Sequence, residues 1–107
     1  MKKFNLQELE KIIQNRIKSK DKNSYSYNLS KNPKLLNKKI IEEACELTLA
    51  KNKNQVAWEA SDLLYFVLVF LAKRNARLKD IEKMLENRNK NINKSKNTIK
   101  SRKEGRK

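Results

Sequence analysis

Residues 41–65 read IEEACELTLAKNKNQVAWEASDLLY and place two short acidic clusters in a chain that is otherwise strongly basic. Each cluster spaces acids three positions apart, Glu43 with Glu46 and Glu59 with Asp62. Positions i and i+3 share one face of a helix. If the two segments form antiparallel helices, these four carboxylates converge, and they repel one another unless a cation lies between them. The stretch therefore predicts an αα-hairpin that holds a divalent metal ion.

The apolar pattern predicts helices along most of the chain. With one Gly and one Pro in 107 residues, the turn signals typical of all-β folds are scarce. Asn5 is placed to cap the first helix and Asn32 to cap the second, which opens with Pro33. The predicted helices run roughly over residues 6–18, 33–53, 55–75 and 79–89, and residues 19–32 read as a polar loop. We therefore expect an all-α protein with a four-helix protomer.

Charge and composition suggest one domain followed by a basic tail. The chain has 27 Lys and Arg against 12 Asp and Glu, a net charge of +15, which favours polyanionic partners. Apolar periodicity nearly stops after residue 89, so we expect an all-α domain over 1–89 and a flexible tail over 90–107. Through this tail the chain would bind nucleic acid only nonspecifically. A basic nucleic-acid-binding protein is therefore the remote alternative.

The location expected from the sequence is the cytoplasm. The N-terminus turns polar at once and lacks the apolar region of a signal peptide. The longest apolar run, residues 63–72, is shorter than the roughly 20 residues that a spanning helix needs, so we expect no membrane partner. The single Cys45 rules out an internal disulfide bond and is expected to pack on a helix rather than act as a nucleophile.

The chemistry available to the chain is limited by its lack of histidine. This excludes a His-based metal site, a His-containing triad and general acid–base catalysis by His. Carboxylates supply only oxygen ligands, which favour Mg²⁺, with Mn²⁺ as the alternative. Glu43 also stands in the middle of an apolar stripe, where an unpaired carboxylate would be costly. A purely structural helical protein would not explain that position.

The motifs around the acids resemble a known family. The segments Ser24-Tyr25-Ser26, residues 39–47 (KIIEEACEL) and residues 56–65 (VAWEASDLLY) are similar to phosphoribosyl-ATP pyrophosphohydrolases, within the MazG-like superfamily of all-α nucleotide pyrophosphohydrolases. The resemblance covers roughly residues 6–88. It departs at Ser26, where the family usually has Thr, and the tail is not part of the pattern.

The resemblance implies a reaction and a set of site residues. The reaction is the Mg²⁺-dependent hydrolysis of 1-(5-phosphoribosyl)-ATP to 1-(5-phosphoribosyl)-AMP and pyrophosphate, the second step of histidine biosynthesis, by a homodimer. A MazG-like pyrophosphohydrolase acting on dNTPs or other NTPs is the alternative, since the same acids would serve it. The implied metal ligands are Glu43, Glu46, Glu59 and Asp62; the candidate catalytic residues are Glu42 and Glu43; the candidate substrate-binding residues are Ser24, Tyr25, Ser26 and Lys39.

Overall fold

The computed structural model describes residues 3–98, and all regular secondary structure in that range is α-helical. The helices are α1 (Leu6–Ser19), α2 (Tyr25–Ser30), α3 (Pro33–Leu49), α4 (Lys53–Lys73) and α5 (Leu78–Thr98). The prediction of an all-α protein is confirmed. The predicted number of helices is wrong, because the described residues form five helices rather than four.

Asparagine side chains begin three of the helices. The Asn5 Oδ1 accepts a hydrogen bond from the Glu8 backbone N–H at 2.9 Å, as predicted for the start of α1. Asn32 likewise caps α3 and Asn52 caps α4. An Asn at this position satisfies a backbone N–H of the first turn that has no partner within the helix. These local signals explain why the starts of α1 and α3 were predicted correctly.

The predicted loop over residues 19–32 contains the short helix α2. Ser24 caps it, with its Oγ accepting a hydrogen bond from the Tyr27 N–H at 3.2 Å. Six residues are too few to form a stable helix alone. Burial supplies the missing stability, because Leu29 is only 1% exposed and Ser26 is fully buried. The loop prediction was therefore wrong, because tertiary contacts stabilise α2 and the local pattern of apolar residues does not reveal them.

Two helix boundaries also differ from the prediction. Helix α3 ends at Leu49 rather than near residue 53, because Ala50 adopts an extended backbone and Asn52 already caps α4. Helix α5 continues to Thr98, well beyond the predicted end near residue 89. The first part of the predicted tail, residues 90–98, is thus helical, while residues 99–107 lie outside the described residues.

The chain divides into two compact units, 1–77 and 78–107. In the first unit α4 is central and contacts α1, α2 and α3. Its core consists of Ile13 from α1, Leu29 from α2, Leu36 from α3, and Phe66, Leu68 and Val69 from α4. In the second unit, Leu85 on α5 is 57% exposed.

By length and composition alone, α4 is apolar enough to cross a membrane. The apolar run 63–72 covers only part of this helix, and the expectation of no membrane partner stays a prediction. Helix α4 nevertheless packs against three other helices and carries the acids Glu59 and Asp62. Carboxylates within a bilayer are costly, which favours α4 as the core helix of this bundle.

Candidate metal centre

Three carboxylates from two helices meet in the first unit. Glu43 comes from α3, and Glu59 and Asp62 come from adjacent turns of α4. Ligand oxygens of these three residues all lie within 4.8 Å of one another, and all three side chains are half-buried. The short connection between α3 and α4 turns the chain back on itself, so the helices pack side by side. The structure thus brings together three of the four predicted metal ligands.

The environment of Glu43 favours the neutral form of its carboxyl group. Burial raises the pKa of Glu43 above its ordinary value, and a side-chain hydrogen bond with Glu59 raises it further. The negative charges of Asp62, Glu59 and Glu46 act in the same direction on this pKa. A hydrogen bond between two carboxyl groups requires a shared proton. A bound cation would act in the opposite direction, because a positive charge favours the ionised form of these carboxyl groups.

Glu46 lies at the edge of this cluster. Its side chain is exposed, and it is absent from the three-carboxylate group. Its charge nevertheless contributes to the raised pKa of Glu43, which places it within electrostatic reach. Glu46 follows Glu43 by three residues, so both lie on one face of α3.

The donor set fits Mg²⁺. This ion takes oxygen ligands at about 2.0–2.1 Å in octahedral geometry, so opposite ligands lie about 4.2 Å apart. Ligand oxygens of Glu43, Glu59 and Asp62 lie no farther apart than 4.8 Å, which is close to that spacing. All three ligands are carboxylates, the type that Mg²⁺ and Mn²⁺ prefer over softer nitrogen or sulfur donors.

The candidate catalytic residue Glu42 lies outside the three-carboxylate group. It is exposed, and its carboxylate oxygens lie 3.9 Å from the Lys38 Nζ and 3.8 Å from the Lys39 Nζ. Consecutive residues of a helix point about 100° apart, so Glu42 and Glu43 cannot share one direction. Lys39, the candidate phosphate contact, is half-buried and paired with Glu42.

The Ser24-Tyr25-Ser26 segment forms the start of α2, and its three side chains have different environments. Ser24 is buried and caps the helix, while Ser26 is fully buried with its Oγ 2.6 Å from the Tyr65 Oη. Tyr25 is 52% exposed. Of these three candidate substrate-binding residues, only Tyr25 presents a large accessible surface.

Two residues of α4 that were not assigned a functional role from the sequence form hydrogen bonds with α2. The Tyr65 hydroxyl pairs with Ser26, and the Lys73 Nζ donates a hydrogen bond to the Ser30 carbonyl at 2.9 Å. Burial raises the pKa of Tyr65, although its hydrogen bond with Ser26 lowers it in part. A hydroxyl within the apolar run 63–72 was the available signal, but its partner lies 39 residues earlier in the chain.

Comparison of the sequence with known proteins finds similarity to phosphoribosyl-ATP pyrophosphohydrolases and to histidine biosynthesis proteins. Residues 6–89 match the family model for phosphoribosyl-ATP pyrophosphohydrolase. The chain is 38% identical over 89 residues to a phosphoribosyl-ATP pyrophosphatase from Pyrobaculum arsenaticum, covering 79% of this chain and 95% of that protein. It is 46% identical over 83 residues to a histidine biosynthesis trifunctional protein from Saccharomyces bayanus, covering 78% of this chain.

The match to the fungal relatives is confined to one part of each protein. The chain spans about a tenth of the length of the trifunctional protein from S. bayanus. It is also 36% identical over 93 residues to a histidine biosynthesis bifunctional protein from Schizosaccharomyces pombe, of which it covers 22%. No solved structure matches the chain.

Proposed function

This chain belongs to the phosphoribosyl-ATP pyrophosphohydrolase family, and from that premise we propose that it hydrolyses 1-(5-phosphoribosyl)-ATP to 1-(5-phosphoribosyl)-AMP and pyrophosphate. This reaction is the second step of histidine biosynthesis. The observation that carries the proposal is the meeting of Glu43, Glu59 and Asp62 on two packed helices. A cluster of carboxylates suits a substrate whose phosphates are themselves bound through a divalent cation.

In this proposal Glu43, Glu59 and Asp62 hold Mg²⁺, or Mn²⁺ in its place, and Glu46 joins them by turning inward. When bound, the ion neutralises the phosphate charge, orients the substrate and lowers the pKa of a water molecule. Glu43 is a candidate to accept a proton from the attacking water, since it lies within the carboxylate group. Glu42 is the second candidate for that role.

Lys39 is the proposed contact for a substrate phosphate. It precedes Glu43 by one helical turn and is only partly exposed. Its pairing with Glu42 at 3.8 Å keeps both side chains on one side of α3. Substrate phosphates would compete with Glu42 for this ammonium group. Exchange between the two partners would free Glu42 as phosphate binds.

We propose a homodimer, because several large apolar side chains of α3 and α4 remain exposed. Ile41 is 69% exposed and Trp58 is 70% exposed, and Leu49 and Leu64 are also uncovered. A second copy of the chain would cover such surface at an apolar interface. Sedimentation velocity at micromolar protein should then give a dimer, and a monomer at that concentration would contradict this assembly.

The proposed partners are therefore the nucleotide substrate and a second copy of the chain, in the cytoplasm and without a membrane. Binding of nucleic acid is expected only as a weak, salt-dependent effect of the basic C-terminal region.

The deciding experiment assays the purified full-length chain for pyrophosphate release from phosphoribosyl-ATP and, separately, from each dNTP. We expect Mg²⁺-dependent turnover of phosphoribosyl-ATP that EDTA abolishes. Glu59→Gln should reduce kcat/KM by at least about 100-fold, because one charged metal ligand is lost. Glu86→Gln is the matched control, since Glu86 lies on α5 in an exposed ion pair with Lys90. Preferential turnover of dNTPs would favour the related pyrophosphohydrolase activity instead.

A further inference from the structure

Helix α2 is fixed to α4 by contacts that do not involve the three carboxylates. The Ser26 and Tyr65 hydroxyl groups form a hydrogen bond of 2.6 Å near one end of α2. At the other end the Lys73 Nζ donates to the Ser30 carbonyl at 2.9 Å. Between these two bonds Leu29 is buried in the core. A six-residue helix held at both ends has a defined position relative to α4.

Tyr25 lies on this fixed helix with its ring against α4. Its ring stacks on that of Tyr65, with centroids 6.1 Å apart and planes only 5° from parallel. It also meets the Phe66 ring edge-on at 6.3 Å and 73°. These are favourable geometries for aromatic pairs and hold the ring in one orientation. Even so, Tyr25 remains 52% exposed, so a rigid aromatic surface faces solvent.

Along α4, this aromatic surface begins about one turn beyond Asp62, the last of the three carboxylates in the chain. Tyr65 follows Asp62 by three residues, which is a rise of about 4.5 Å along the helix axis. Tyr25, stacked on Tyr65, therefore lies beside the next turn of the same helix. A nucleotide bound by its phosphates at the carboxylates extends its sugar and base away from them. On the Tyr65 side of the carboxylates, the exposed Tyr25 ring offers an aromatic face to such a base.

We propose that Tyr25 contacts the purine ring of the substrate, and that Ser26 and Tyr65 are positioning residues that hold Tyr25 for this contact. The proposal rests on the function proposed above and refines the part of it that concerns substrate binding. Ser24 and Ser26 then support α2 from within, since both are buried and hydrogen-bonded to the protein. Stacking on an aromatic side chain suits the purine because it needs no particular hydrogen-bond pattern.

The test of the contact compares ligands with and without a base. Phosphoribosyl-AMP and inorganic pyrophosphate are titrated calorimetrically into the full-length protein in Mg²⁺. We expect Tyr25→Leu to weaken phosphoribosyl-AMP binding by about 5- to 150-fold, the range of one lost base–aromatic stack. Binding of pyrophosphate should stay unchanged. Tyr25→Phe, which keeps the ring, should bind both ligands like the wild type.

The positioning role is tested with kinetics and with a pair of substitutions. Ser26→Ala and Tyr65→Phe each remove one partner of the same hydrogen bond, so each should raise KM more than it lowers kcat. The double variant should be no worse than the poorer single variant, because both substitutions remove one interaction. Ser26→Thr should restore the wild-type KM, since it keeps the hydroxyl group. Tyr27→Phe is the matched control, because it removes from the same helix a hydroxyl group with no hydrogen-bond partner within residues 3–91, where side chains are described.

Circular dichroism melts confirm that each variant is folded before it is assayed. Wild-type KM and phosphoribosyl-AMP affinity in Tyr25→Leu would overturn the base contact. Additive losses in the Ser26→Ala, Tyr65→Phe double variant would overturn the positioning role. If the wild-type protein hydrolyses phosphoribosyl-ATP and either result appears, only this inference fails. If the wild type shows no such hydrolysis, the proposed function fails and this inference fails with it.

Discussion

Replacing Glu43 with Gln should stabilise the protein in the absence of metal ions. The folded state raises the pKa of Glu43 above the ordinary value near 4.5, through burial and through Glu59, Asp62 and Glu46. As the pH rises past the ordinary pKa of a glutamate side chain, Glu43 loses its proton in the unfolded chain before it does so in the folded chain. The free energy of unfolding therefore falls as the pH rises, and at neutral pH the full repulsion opposes folding. Gln keeps the shape of the side chain and removes the charge.

The size of this effect follows from the spacing of the carboxylates. Oxygens 4.8 Å apart or closer repel by at least about 0.9 kcal/mol per pair in water and about 3.5 kcal/mol at an effective dielectric constant of 20. The three side chains are half-exposed, so screening favours the lower value. We expect Glu43→Gln to raise the free energy of unfolding by about 1 kcal/mol at pH 7. For a domain of this size that corresponds to about 4–8 °C in Tm.

The assay is thermal unfolding in EDTA, followed by circular dichroism at pH 7 and again near pH 4. The advantage of Glu43→Gln should be largest at pH 7 and should shrink at pH 4, where the wild-type carboxyl group is protonated. Glu42→Gln is the matched control. It loses only exposed ion pairs with Lys38 and Lys39, so its Tm should be unchanged or slightly lower. An unchanged or lower Tm for Glu43→Gln at pH 7 would refute the reasoning.

Three further outcomes are expected. Mg²⁺ at 100 times its Kd should raise the free energy of unfolding of the wild type by about 2.7 kcal/mol, and EDTA should reverse this effect. Glu59→Gln should largely remove the stabilisation by Mg²⁺, and an equal stabilisation of that variant would argue against the site. Leu36→Ala should cost about 2–5 kcal/mol in urea unfolding because Leu36 is 1% exposed, and a cost below 1 kcal/mol would contradict its place in the core. Asn32→Ala should cost about 1 kcal/mol through its lost cap, whereas exposed Asn37→Ala on the same helix should cost nothing measurable.

The parts of the fold that were predictable are those set by neighbouring residues. Asn5 and Asn32 cap their helices by accepting a hydrogen bond from the backbone N–H three positions later in the chain. Both partners are therefore neighbours in the sequence, and the caps can be predicted from it. Helix α2 is different, because its stability comes from burying Leu29 and from bonds to Tyr65 and Lys73 on another helix. A polar stretch of six residues carries no local sign of those contacts. The loop prediction failed for that reason.

The candidate site shows the same division between local spacing and tertiary geometry. The spacing of Glu59 and Asp62 fixes both on one face of α4, and their meeting with Glu43 follows from the short hairpin. The side-chain direction of Glu46 is not fixed by spacing, because a helix position leaves the rotamer free. Glu42 differs again, since two lysines hold it on the exposed side of α3. Spacing therefore identifies which acids can meet, and packing decides which of them do.

Repulsion among the clustered carboxylates lowers the stability of the metal-free protein and also gives the cluster its affinity for a cation. Repulsion among Glu43, Glu59 and Asp62 destabilises the metal-free protein, and a bound cation removes that repulsion. Glu43→Gln should therefore gain stability without metal and lose Mg²⁺ affinity together, because one charge accounts for both. A substitution that gave the first change without the second would separate the two. Lys38 and Lys39, the lysines nearest to Glu43 along α3, pair with Glu42 instead.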